Sequence, residues 1–132
     1  MTVFCTYCSA EKDNSQGELP AIQRYQSHRI RSVFSAALSL GLKFIILSGE
    51  YGILEPSDLI PYYEHLLQPS EVPEHSERVA AQLEALGVRD LIFFARPLAE
   101  DDQGKPYFDC IQSASQQTGV ELKIVGLPTN IV

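Results

Sequence analysis

Four short apolar runs alternate along the chain with three longer segments whose apolar residues recur at helical spacing. The runs lie near 3–7, 43–48, 90–95 and 121–125, and their apolar and β-branched content predicts strands. The clearest helical pattern spaces five residues at i, i+3, i+4, i+7 and i+8: Ile30, Val33, Phe34, Ala37 and Leu38. It predicts a helix that buries one face. Similar helices are predicted at about 70–86 and 107–118. A glycine ends each of the three helices: Gly41, Gly87 and Gly119.

This alternation of strands and helices predicts a parallel sheet with right-handed crossovers, because near-continuous apolar strands are buried on both faces. A length of 132 residues fits one domain. The sequence therefore predicts an α/β fold, a single three-layer, Rossmann-like domain over 1–132 with a four-stranded, mainly parallel sheet. The apolar tail 126–132 is expected to pack onto this domain.

The predicted loops are strongly unequal in length. The connections from helix to strand are short, whereas those from strand to helix are long and cover 8–26, 48–69 and 96–106. Long loops in compact domains are usually functional, and open parallel sheets bind ligands outside the carboxyl ends of their strands. We therefore expect a site where these three loops meet.

The second long loop opens with Ser48-Gly49-Glu50-Tyr51-Gly52, directly after the most apolar run. Gly49 and Gly52 permit a tight backbone whose N–H groups, with Ser48, hold a phosphate or carboxylate, or else they form a turn that only redirects the chain. Glu50 is the candidate catalytic residue, as general base, nucleophile or acceptor for a ribose hydroxyl; the alternative is a solvated carboxylate. Tyr51 is a candidate ligand contact or a core phenol with one hydrogen bond.

Cations and polar groups of the other two loops complete the predicted pocket. Cys8 and Ser9 follow the first strand, where Ser9 can bind an anion and Lys12 can pair with it. Arg24 and Arg96 suit bidentate binding of phosphate or carboxylate. The alternative for each cation is solvation or a weak surface ion pair.

Aromatic residues of the second loop offer stacking surface for a base. Tyr62, Tyr63 and His65 are candidates, and the alternative is a loop anchored by aromatic packing, which we favour for Tyr63. His65 lies outside any metal-ligand pattern. His28 and His75 fall at helix starts and are expected to be exposed.

The cysteines are Cys5, Cys8 and Cys110. A C-x-x-C motif raises the possibility of redox chemistry, but Cys5 lies inside the first strand, and an extended chain places Cys5 and Cys8 on opposite faces. We expect Cys5 to be buried and to form no disulfide with Cys8. No set of four Cys or His ligands at zinc spacing occurs, so no metal is expected.

The composition of the chain limits the kinds of partner that we expect it to bind. The net charge is −7 and Lys and Arg are not clustered, which argues against extended duplex nucleic acid but allows a small anionic or nucleotide-like ligand. The absence of a long apolar run and of a secretory signal argues against a membrane partner and for a cytoplasmic protein. No G-x-G-x-x-G, Walker or G-x-S-x-G pattern occurs, and no cofactor is expected.

Two loops resemble a known family. The segments 8–12 (Cys-Ser-Ala-Glu-Lys) and 48–56 (Ser-Gly-Glu-Tyr-Gly-Ile-Leu-Glu-Pro), followed by Asp58, Ile60 and Tyr62, resemble small uncharacterised bacterial proteins. These share an S-x-x-Y-G-L-L-x-P-x-D-x-I signature with the peroxide-stress (YaaA-like) family. Related α/β domains look like the uracil-DNA-glycosylase-like modules of enzymes that modify tRNA bases. The resemblance implies nucleotide or base chemistry and a role in stress response.

Two functions follow as expectations. In the first, the protein binds a nucleotide, nucleoside or nucleic-acid base at the carboxyl edge of the sheet and acts on it through Glu50. In the second, the same edge is a non-catalytic module that binds a small anion or another protein.

Overall fold

A computed structural model describes residues 1–127 as a mixed α/β fold around a five-stranded sheet. The helices and strands are, in chain order, β1 (Thr2–Tyr7), β2 (Leu19–Pro20), α1 (Ala21–Arg24), α2 (His28–Leu40), β3 (Lys43–Ser48), β4 (Gly52–Leu54), β5 (Leu59–Ile60), α3 (Val72–Leu86), β6 (Asp90–Ala95), α4 (Lys105–Thr118) and β7 (Glu121–Gly126). The predicted strands and helices are all present. The expected packing of the tail concerns residues that, from 128 onward, lie outside the described part of the chain.

The four predicted strands are parallel and lie in the order β3-β1-β6-β7. The chain leaves β1 in one direction to form β3 and then returns past β1 to form β6. With right-handed crossovers, these opposite directions place α2 on one face of the sheet and α3 and α4 on the other. The central strands β1 and β3 are almost wholly buried, whereas the edge strand β7 is mostly exposed.

The predicted count of four strands was wrong, because β4 adds a fifth strand at the edge beyond β3. It pairs antiparallel with the end of β3, with Ile46 opposite Leu54 and Ser48 opposite Gly52. The five residues 48–52 turn the chain back on itself, so the segment after β3 begins as a hairpin. A strand of three residues is too short to show a period in the sequence.

The first long loop, 8–26, is fixed by Arg24. This side chain is fully buried, and its guanidinium donates to the carbonyl oxygens of Asp13, Ser15, Gly17 and Ile60 at 2.7–3.1 Å. The loop is therefore wrapped around a cation that its own backbone solvates. Arg24 holds the loop and does not face the cleft described below, contrary to the hypothesis that it meets a ligand.

Cys5 is fully buried, as predicted, and Cys5, Cys8 and Cys110 are free cysteines. Burial raises the pKa of the Cys110 thiol to about 12 and that of Cys5 further. These two thiols are therefore inert core groups at neutral pH.

The geometry at Gly52 predicts that any side chain at this position lowers the stability of the fold. Gly52 has a positive φ of 74°, and a Cβ would overlap the side-chain oxygen of Gln82, which accepts from Ile53 N at 2.7 Å. Gly52→Ala should lower the free energy of unfolding by about 2–3 kcal/mol, the sum of left-handed strain and a disturbed hydrogen bond. Urea denaturation measures this loss.

Gly41→Ala is the matched control, because Gly41 has a φ of 68° but open space around a Cβ. It should cost only the strain, about 1–2 kcal/mol. Equal losses at both positions would contradict the role assigned to Gln82.

Candidate functional site

A cleft of about 490 Å³ opens at the carboxyl ends of β1 and β6. The chain leaves these neighbouring strands toward opposite faces of the sheet, and such a switch point is where open α/β sheets bind ligands. The cleft is lined by Tyr7–Lys12, Gln26–Arg29, Glu64–Leu66, Arg96, Asp101, Gln103 and Tyr107. Residues from all three long loops therefore meet there, as the loop lengths predicted.

Arg29 is the most deeply buried cation of the cleft. Only 4% of it is exposed, and it donates to Thr6 Oγ1 at 2.7 Å, Tyr7 O at 2.6 Å and Cys8 O at 3.3 Å. Its guanidinium also lies 3.8 Å from the centre of the Tyr7 ring. All these partners are uncharged, and burial lowers the pKa of Arg29. A cation is thus fixed at the end of β1 without a direct ion pair in the described part of the chain, and the Asp101 carboxylate acts on it only at longer range.

Arg96 follows β6 and reaches the same end of the cleft. Its nearest charged partner in the described part of the chain is Asp101, at 3.8 Å between Nη1 and Oδ2, which is longer than a hydrogen bond. Its Nε is buried and has no partner among residues 1–127. Asp101 accepts instead from Tyr7 Oη at 3.0 Å. Arg96 therefore has unused donors.

Lys12 forms the other end of the cleft. Its ammonium lies 4.6 Å from the centre of the Tyr63 ring and 5.9 Å from that of Tyr25. Burial lowers the pKa of Lys12, while the nearby Cys8 and Glu64 act in the opposite direction. The cation rests on aromatic faces and, among residues 1–127, donates only to Ala10 O, at 3.5 Å. It stays available to an anion.

The cleft floor joins Cys8 to Tyr107. The Cys8 thiol donates to Tyr107 Oη at 3.6 Å, and the same oxygen accepts from Leu67 N at 3.1 Å. Burial raises the pKa of Tyr107, so the phenol is neutral. Gly49 packs against this junction, where a Cβ would lie 2.8 Å from Tyr107 Oη and 2.9 Å from His65 O. Gly49 is needed for close packing.

Ser48 organises the turn between β3 and β4. It is fully buried, and its hydroxyl accepts from Glu50 N and Tyr51 N, both at 3.1 Å, and bonds Tyr63 Oη at 2.9 Å. The two N–H groups that an anion nest would use are therefore occupied by Ser48. The structure supports the tight turn and not the nest at 48–52.

Side chains on one side of α3 form hydrogen bonds to the carbonyl groups of the same turn. His75 Nε2 donates to Ser48 O at 2.8 Å, Arg78 to Glu50 O at 3.0 Å, and Gln82 to Tyr51 O at 3.1 Å. The spacing of i, i+3 and i+7 places these side chains on one helical face. His75 is buried, so its predicted exposure was wrong, while His28 is exposed as expected.

His65 lies between two carboxylates. Its Nδ1 is 2.8 Å from Glu50 Oε2, and its Nε2 is 2.8 Å from Glu71 Oε2. Ionised carboxylates only accept hydrogen bonds, so this geometry favours the imidazolium form of His65, in which both ring nitrogens donate. Hydrogen bonds to Glu71 and then to Glu50 raise its pKa, and the bond from His65 lowers the pKa of Glu71. His65 lines the cleft, with Glu50 on its far side.

The sequence-predicted site residues thus divide into two groups. Four of them line the cleft: Cys8, Ser9, Lys12 and Arg96. The other six are absent from its lining: Ser48, Gly49, Glu50, Tyr51, Gly52 and Tyr62. Tyr62 is exposed and donates to Glu64 at 2.7 Å.

Sequence reasoning did not single out Arg29 or Asp101, and it considered His65 for base stacking but not as a metal ligand. Arg29 falls within the first turn of α2, which begins at the cleft, but this position alone does not distinguish a site residue from a solvated cation. Nothing in the sequence places Asp101 opposite Tyr7, which is 94 positions away.

The residues 3–127 match the sequence profile of the Family of unknown function (DUF6884). The chain belongs to this family. Comparison with the curated proteins and with the solved structures gave no match. Family membership leaves function to be argued from the cleft.

Two structural findings bear on metals and membranes. Within 1–127, no group of three or more His, Cys, Asp or Glu residues is placed to hold a metal ion. No helix in this part of the chain is long and apolar enough to cross a membrane.

The imidazolium at His65 predicts a pH-dependent stability. A raised pKa means that its ion pairs stabilise the fold fully below the ordinary imidazole pKa of about 6.5, and that this is lost as pH rises through the raised value. The side chain is partly exposed, so the effect should be a few tenths of a kcal/mol. Urea midpoints of the wild type and His65→Gln should differ more at about pH 5.5 than at about pH 9.

His28→Gln is the control, because His28 is exposed and forms no side-chain bond within the described chain. A pH-independent difference between the wild type and His65→Gln would show that His65 is not held as an imidazolium.

Proposed function

We propose that the protein binds a nucleotide, nucleoside or nucleic-acid base in the switch-point cleft, with an anionic group of the ligand facing Arg29 and Arg96. The observation that carries this proposal is the buried Arg29 at the end of β1, whose hydrogen-bond partners are all neutral and which forms no direct ion pair within residues 1–127. A buried charge is costly unless it is paired. A ligand anion would supply the missing charge.

Arg24 provides the comparison that makes Arg29 informative. Both arginines are buried and both donate to neutral oxygens. The four carbonyl groups around Arg24 belong to loops that need fixing, and Arg24 is away from the cleft lining. Arg29 instead lines the cleft beside Arg96, whose donors are unused. Arg24 therefore stabilises the fold of its own loop, whereas Arg29 lies where a bound ligand would be close to it.

The rest of the cleft suits the uncharged part of such a ligand. A volume of about 490 Å³ lies in the range of small-molecule sites, roughly 300–1,000 Å³. Glu11 and Glu64 line it and can accept hydrogen bonds from ribose hydroxyl or base amino groups. Lys12, seated on Tyr63, adds a second cation at that end.

Catalysis through Glu50 is the second candidate, and the Glu50–His65 hydrogen bond favours it. Glu50 would act through His65, which lines the cleft, as a positioning residue for that imidazolium. A purely binding role is favoured by the pairing of both ring nitrogens with carboxylates, which leaves His65 without a free proton to transfer. Glu50→Gln separates the two roles, since loss of turnover with retained binding requires chemistry.

A thermal-shift and calorimetric screen of ribonucleosides and their 5′-monophosphates tests the proposal. Ligands that bind the native state raise the unfolding midpoint. Arg96→Gln should weaken binding of a monophosphate by about tenfold, since a charged hydrogen bond contributes about 1.5–3 kcal/mol.

Arg31→Gln removes the same charge from an exposed position of α2 outside the cleft lining, and it should change affinity by less than about twofold. Equal effects of the two substitutions would reveal only a general charge effect. Binding that survives Arg96→Gln unchanged would place the anion elsewhere.

A further inference from the structure

Four groups at the deep end of the cleft form one connected chain. The Arg29 guanidinium lies 3.8 Å from the centre of the Tyr7 ring, and Tyr7 Oη donates to Asp101 Oδ2 at 3.0 Å. The same carboxylate oxygen lies 3.8 Å from Arg96 Nη1. Tyr7 thus links the buried Arg29 to Asp101, and Asp101 in turn reaches the half-buried Arg96.

The charges of this chain do not balance. The chain contains two guanidinium groups and one carboxylate, and the hydrogen-bond partners of Arg29 are a hydroxyl and two carbonyl oxygens. Arg96 keeps an unpartnered, buried Nε within the described chain. Positive charge and donors therefore exceed what Asp101 supplies.

Few interactions hold the Asp101 carboxylate in its position beside Arg96. The Tyr7 hydroxyl gives its carboxylate the single hydrogen bond that it has within residues 1–127, and its contact with Arg96 is too long for a second. It belongs to the loop between β6 and α4, outside either element. A competing anion has to replace one hydrogen bond and one long ion pair.

We propose that Arg29 and Arg96 form a subsite for a single phosphate monoester, and that the Asp101 carboxylate occupies this subsite until the ligand's phosphate displaces it. This inference rests on the proposed function, because it names the ligand group that the cleft receives. Arg96 would bind the phosphate by its fork of N–H donors. The buried Arg29 would attract the phosphate electrostatically from the floor of the cleft.

The lining charges explain why one phosphate fits and a triphosphate does not. Apart from its histidines, the cleft is lined by the cations Lys12, Arg29 and Arg96 and by the carboxylates Glu11, Glu64 and Asp101. Once Asp101 leaves, three cations face two carboxylates. A monophosphate carries about two negative charges, which this surplus and the Arg96 donors can hold. A longer phosphate chain would meet the remaining carboxylates in a protein whose net charge is −7.

Asp101→Asn tests the displacement directly. Asparagine keeps the oxygen that accepts from Tyr7 and removes the competing charge. Affinity for inorganic phosphate and for a ribonucleoside 5′-monophosphate should rise by about tenfold, because a like charge next to the bound anion is removed. Affinity for the nucleoside without phosphate should not change. Isothermal titration calorimetry at constant ionic strength measures all three ligands.

Asp102→Asn is the matched control, since Asp102 is exposed and its substitution changes the net charge equally. It should change phosphate affinity by less than about twofold. In the double variant Asp101→Asn/Arg96→Gln, the gain should disappear. Urea midpoints of both single Asn variants, measured without ligand, establish that each is folded.

The outcomes separate the two proposals. Monophosphate binding that Asp101→Asn leaves unchanged or weakens overturns the displacement and leaves the proposed function standing. A triphosphate that binds the wild type more tightly than the monophosphate overturns the single-phosphate subsite. If the wild type and Asp101→Asn bind no nucleoside, no monophosphate and no phosphate, the proposed function fails and the inference fails with it.

Discussion

The turn at 48–52 depends on the hydrogen bonds that enclose it on both sides. Ser48 Oγ accepts hydrogen bonds from two N–H groups of the turn. On the other side, His75, Arg78 and Gln82 of α3 donate to the carbonyl oxygens of the turn. A turn satisfied in this way has a fixed path. That path brings Gly49 against Tyr107 and the backbone of His65 and Leu67, which sets the position of one wall of the cleft. The most distinctive stretch of the sequence therefore shapes the site without lining it.

The fold was predictable where local pattern and global topology agree. Apolar strands and glycine-ended helices indicated four parallel strands, and the unequal loops indicated the edge at which a site would form. The hairpin strand β4 was missed, because three residues carry no period and the glycines around Glu50 permit both a nest and a turn. Which alternative holds depends on Ser48 and on α3, and the His75 to Ser48 contact spans 27 positions. Sequence spacing cannot show it.

The location of the candidate site was predictable from the sequence, but only some of the residues that line it were. Lys12 and Arg96 were found because each follows a strand that ends at the cleft. Arg29 was missed as a site residue because its helical position also suits a solvated cation, and only burial beside Tyr7 distinguishes the two. Glu50 was expected in the cleft because it follows a buried strand. The turn instead directs it to His65, which loop length alone could not indicate.

The acidic character of the chain places a particular demand on any anion site. With 17 acidic and 10 basic residues, long-range electrostatics oppose an anionic ligand, so attraction has to come from local groups. Under the proposed function, two features of the structure would meet this demand. His65 pairs with Glu50 and Glu71, which neutralises part of the negative charge next to the cleft wall. Arg29 is buried among neutral oxygens, where the lower dielectric strengthens its field. Specificity for a small anion would then arise from a few short-range contacts, and a long polyanion such as duplex nucleic acid would gain one such contact while facing the acidic surface everywhere else.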